Sequence, residues 1–115
     1  MTAPRTLAAL RAAVARVLVA RGESAVALYV GRDQWGVSIG VTVCGCGVEW
    51  VYETGADLAD TVARAWAEVV RWLQDAAEAA ERSVAATRRP ERKAAAVERL
   101  RLARAALAAA REVGE

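Results

Sequence analysis

Three groups of residues in this chain have types and spacings that could do chemistry: Cys44 and Cys46, Glu49 and Glu53, and five cations near Pro90. The two thiols are separated by Gly45 alone. A disulfide across one residue conflicts with the required geometry. A tetrahedral metal site needs four ligands, and the chain has no histidine to supplement two thiolates. Two copies could pool four thiolates in a dimer, but one-residue spacing is not that of known zinc sites. The expectation is a pair of reduced, structural thiols in a cytoplasmic protein, with no metal and no cofactor.

Glu49 and Glu53 share one side of a period-two segment. Four residues of strand separate them by about 13 Å. Glycosidase carboxylate pairs stand about 5–9.5 Å apart. Their simpler role is to face solvent and discourage sheet-edge association. Without histidine there is no Ser-His-Asp or Cys-His arrangement. The glycines at 36, 40, 45 and 47 do not precede a helix, so they form neither a phosphate loop nor a dinucleotide fingerprint. No catalysis is expected.

The cations are Arg88, Arg89, Arg92, Lys93 and Arg99. Pro90 suits the first position of a helix, so four of them crowd a helix start where backbone N–H groups already favour anions. Arg101, Arg104 and Arg111 would lengthen the basic surface, whereas Glu91 and Glu98 interrupt it. No aromatic residue is interleaved for base stacking. These five residues therefore support, at most, weak and sequence-independent nucleic-acid contact.

Charge is unevenly spread. Residues 56–87 hold three basic and six acidic groups, while residues 88–115 hold eight basic and four acidic ones. An acidic helix followed by a basic one can neutralise itself across a hairpin, each exposed pair contributing about 0–1 kcal/mol.

The elements that position these groups follow from periodicity. A first helix is expected from Pro4 to Arg21, capped by Thr2 and stopped by Gly22, with Leu7, Leu10, Val14, Val17 and Leu18 as its apolar stripe. Three strands follow: Ala25–Gly31, Trp35–Cys44 and Val48–Glu53. Their short connections imply an antiparallel meander. In the second strand, Trp35, Val37, Ile39, Val41 and Val43 fall on one side, with Gly36, Ser38, Gly40, Thr42 and Cys44 on the other. In the third, Val48, Trp50 and Tyr52 share a side. A second helix should run from Gly55 to Ala86, with Thr54 as cap and Asp57 reaching back. Its first half carries Leu58, Val62, Ala65, Trp66, Val69, Trp72 and Leu73, and its second half only alanines and Val84. A third helix, Pro90 to Val113, alternates Leu100 and Leu107 with Ala96, Ala103 and Ala110, a pattern suited to a close helical hairpin.

The fold class expected is α+β, in the order α-β-β-β-α-α, as one domain over residues 1–115. Residues 1–87 form its helix-sheet-helix core, and residues 88–115 a helix that packs back or pairs between subunits. With no phenylalanine, the four tryptophans and two tyrosines are expected in the core. No apolar run reaches the roughly 18–20 residues of a membrane span. Arg5, Arg11, Arg16 and Arg21 interrupt any signal-peptide apolar region. Double-stranded-RNA-binding domains share the helix–strands–helix order but place cations where this chain has Asp57 and Asp60. Order alone therefore assigns no family.

One surface is left over. Ala25, Ala27, Gly36, Ser38, Gly40 and Thr42 make a smooth sheet face on which a neighbour can lie closely. The function expected is a non-catalytic interaction protein, a homodimer or one with a protein partner. Nucleic-acid contact through the basic turn is the alternative, and no membrane role is expected.

Overall fold

The computed structural model describes residues 4–20, 26–43 and 49–114. The order is α1 (Leu7–Ala20), β1 (Val26–Asp33), β2 (Gly36–Val43), β3 (Glu49–Gly55), α2 (Leu58–Ala86) and α3 (Pro90–Gly114). This is the expected α+β arrangement, with the strands in an antiparallel β1-β2-β3 sheet.

α1 starts later than its apolar pattern suggests. The Thr6 hydroxyl accepts from the Ala9 N–H at 3.1 Å, so Thr6 is the cap. Thr2 and Gly22 lie outside the described residues, as do Ala25, Cys44 and Cys46. Leu10, Val14, Val17 and Leu18 are buried as the stripe requires. Each contributes about 1.5–3 kcal/mol by leaving water.

The β1–β2 hairpin closes on a tighter turn than expected. Asp33 pairs with Gly36, which places Trp35 in the turn and not on the strand. The Asp33 carboxylate accepts from the Trp35 N–H at 2.7 Å and from the Gly36 N–H at 3.1 Å. Gly36 has φ +141°, and a side chain there would collide with the Gly55 backbone. Trp35 is consequently 82% exposed and not the core residue its spacing implied.

Val37, Ile39, Val41 and Val51 form the buried side of the sheet, each at most 6% exposed. The register pairs Val41 with Val51, Ile39 with Glu53 and Val37 with Gly55. An irregularity follows: Thr42 pairs with Glu49, so Trp50 is the extra residue of a bulge. Two expectations for β3 fail here. Tyr52 lies opposite Gly40 on the outer side and is 57% exposed, because the bulge sets the row from Val51 and not from Trp50. Glu53 points towards the helices, where Arg64 lies 3.8 Å away and also donates to the Thr54 carbonyl at 2.6 Å. Arg64 is thus a clasp between α2 and the end of β3.

α2 is capped three residues later than predicted. The Asp57 carboxylate accepts from the Asp60 N–H at 3.1 Å, whereas Thr54 belongs to β3. The Thr61 hydroxyl, fully buried, donates to the Asp57 carbonyl at 2.7 Å. Val62, Ala65, Trp66, Val69 and Leu73 are core, but Trp72 is 38% exposed.

α1 packs on β1, and α2 on β2 and β3. α3 touches neither face of the sheet; it packs antiparallel to α2 and across α1. Ala96, Leu100, Leu107 and Ala110 bury as the heptad pattern predicts, whereas Ala103 is only partly buried. Arg104 meets Glu81 at 2.7 Å across the hairpin, and Arg16 meets Glu112 at 2.7 Å between α1 and α3. The third helix therefore closes the core within the chain. It does not fold over the outer sheet face. The molecule measures 55 × 30 × 22 Å, elongated along a hairpin that outruns the sheet.

Candidate interaction surface

Both helices that touch the sheet lie on its valine and isoleucine side, so among the described elements nothing covers the other face. The rows of that face follow from the register. Tyr29, Gly40 and Tyr52 form one row, and Gly31, Ser38 and Thr54 the next. Tyr29 is 60% exposed and Tyr52 57%, while Gly40 between them is buried. One tyrosine on each side thus borders Gly40, in a central strand whose outward positions are Gly36, Ser38 and Gly40. At the end of that strand, Trp35 and Tyr52 wall a shallow depression of about 330 Å³ with Asp33, Ser38 and Thr54.

Of the expected interface residues, Gly36, Ser38 and Gly40 share the outer side of β2. Ala27 and Thr42 pair with each other at the far end of the same ladder. Ala25 lies outside the described residues. The three aromatics were not part of the expected surface. Tyr29 is legible in hindsight, since it alternates with Leu28 and Val30. Tyr52 was hidden by the bulge, and Trp35 by a turn one residue shorter than its sequence suggests.

The basic residues come together at the opposite end of the molecule. Thr87 ends α2, its N–H and hydroxyl both donating to the Ser83 carbonyl at 3.0 and 2.6 Å. Arg88 and Arg89 occupy the connection, and Arg92 and Lys93 the first turn of α3. All four, and Arg99, are exposed, and none forms an ion pair with a described residue. Further along α3 two of the cations, Arg101 and Arg104, are neutralised. Arg101 holds Glu98, whose carboxyl sits below its ordinary range chiefly because of that hydrogen bond. Arg104 holds Glu81.

Glu49 pairs with Thr42 and Glu53 with Ile39, so the two carboxylate positions belong to different rows of the sheet. Among the described residues, no three histidine, cysteine or acidic groups converge as metal ligands. Nor is any described helix long and apolar enough to cross a membrane. No family model matches the chain, and no curated protein or solved structure matches it either.

Proposed function

We propose that this chain is a non-catalytic interaction protein that associates with a second copy of itself through the outer face of its sheet. The observation that carries the reading is the position of its aromatics. In a chain with only six of them, Tyr29, Trp35 and Tyr52 stand 57–82% exposed on or beside one face. Tyrosine and tryptophan dominate interface energetics because they bury much area at small entropic cost. One tyrosine on each side of Gly40 also suits an isologous contact, in which a two-fold axis would set one copy's tyrosines against its partner's small-residue strand.

Size sets the strength expected. Eight residues of β2 extend about 26 Å, and three strands span about 14 Å, a flat footprint of about 370 Å². Standard interfaces cover about 800 Å² per partner. Association is therefore expected to be weak and transient, with Trp35 adding area at the rim. Sedimentation of the full chain across a hundredfold concentration range tests this. A monomer–dimer transition abolished by Tyr52→Lys supports the reading, and a monomer at every concentration ends it.

A second reading rests on the hairpin tip, where Arg88, Arg89, Arg92 and Lys93 lie together without carboxylate partners among the described residues. Such a cluster suits non-specific phosphate contact that fades as salt rises. Electrophoretic retardation of DNA or RNA at low salt, lost in Arg88→Glu/Arg89→Glu, is the expected result. No retardation at any salt concentration removes this reading.

A further inference from the structure

Beyond the sheet, the two long helices leave an open apolar groove of about 400 Å³ on one side of their seam. Its floor is Ala76 and Ala80 of α2 with Ala96 and Ala103 of α3; Trp72 stands at one wall and Arg99 at the other. Small side chains on both helices keep their backbones near the surface, which suits ridge-into-groove packing of another helix. The trough is open to solvent along one side and does not enclose a small ligand as typical pockets do.

The groove continues a surface that the core already uses. Ala96, Arg99, Ala103, Ala106, Ala110 and Val113 are spaced alternately three and four residues apart, one face of α3. Ala106, Ala110 and Val113 are at most 6% exposed within the main core. The same stripe opens into the groove from Ala103 towards the hairpin tip.

Charge decides what fits there. Arg99 is the one charged side chain lining the groove among the described residues, and it forms no ion pair with any of them. Arg92, one heptad earlier on the same face, is likewise exposed and without such a pair. The other side of the seam differs, since Glu81 and Arg104 neutralise each other there. We propose that the groove receives an amphipathic helix from a protein partner. Its apolar stripe packs on the alanines, and its acidic flank meets Arg99 and Arg92.

The test is a titration of isotope-labelled full chain, followed by NMR, with a synthetic amphipathic peptide of about five helical turns. The peptide carries an alanine–leucine stripe flanked by glutamates, and a control replaces each glutamate with lysine. Shifts centred on Ala76, Ala80, Ala96 and Ala103 are expected, with the acidic peptide binding about tenfold more tightly than the basic one. Arg99→Glu should reverse that order, and Ala80→Trp should block both peptides by filling the groove. Equal affinities, an unchanged order in Arg99→Glu, or shifts centred elsewhere would overturn the proposal. So would groove shifts that follow protein concentration without peptide, because they would make the occupant a second copy. Sheet-face association reads out at Tyr29 and Tyr52, so the failure of one proposal is separable from that of the other.

Discussion

The two faces of β2 are built from alternate residues of the same eight, yet they carry opposite chemistry. On one, Val37, Ile39 and Val41 are at most 6% exposed, with α2 packed on the strand. On the other are Gly36, Ser38 and Gly40, and Gly40 lies between two tyrosines that remain more than half exposed. The first face needs bulk because a helix rests on it. The second has small residues along its centre and one exposed tyrosine at each margin. The difference teaches that a single residue step separates the covered face of the strand from the open one.

Substitutions that probe the two faces should therefore diverge. The largest loss is expected from Ile39→Ala, which empties a fully buried site: about 2–5 kcal/mol by denaturant unfolding. An unfolding midpoint close to that of the parent would deny that this face holds the core. Gly36→Ala comes next. It forces a side chain into φ +141° and against Gly55, at about 1–3 kcal/mol, without touching the apolar core. Asp57→Ala removes the cap of α2 and should cost about 1 kcal/mol, visible as a lower thermal midpoint. Tyr52→Ala on the open face should alter monomer stability by no more than about 0.5 kcal/mol while weakening self-association. If Tyr52→Ala destabilises the monomer as much as Ile39→Ala does, the contrast between the faces is wrong.

The smallest effect concerns pH. The Glu98 carboxyl is depressed in the folded chain, chiefly by its hydrogen bond from Arg101. Its contribution is present above the unfolded carboxylate range and is lost as pH falls through the folded value. The pair is fully exposed on α3, so acid unfolding of Glu98→Gln should almost superimpose on that of the parent.

Much of the fold was legible because period and length carry it. The alternation from Gly36 to Val43 marked both faces of β2, and the alanine–leucine heptads of α3 marked its contact with α2. What the sequence concealed were register decisions. A two-residue turn moved Trp35 off the strand, and a bulge at Trp50 moved Tyr52 outward. Helix caps slipped for a related reason, since Thr54 and Asp57 are both competent and only the extension of β3 decides between them. The tie from α3 to α1 was also hidden, because Arg16 and Glu112 are far apart in the chain and carry no mutual signal. The candidate surface was half legible: its small residues were visible by alternation, and its aromatic margins depended on those register decisions.

The most direct test is hydroxyl-radical footprinting of the full chain at low and high micromolar concentration, read at individual aromatic side chains. Tyr29, Trp35 and Tyr52 should lose reactivity together as concentration rises, while Trp72, exposed but on the helical side, keeps its own. Unchanged reactivity of the three sheet-face aromatics across that range would contradict the account.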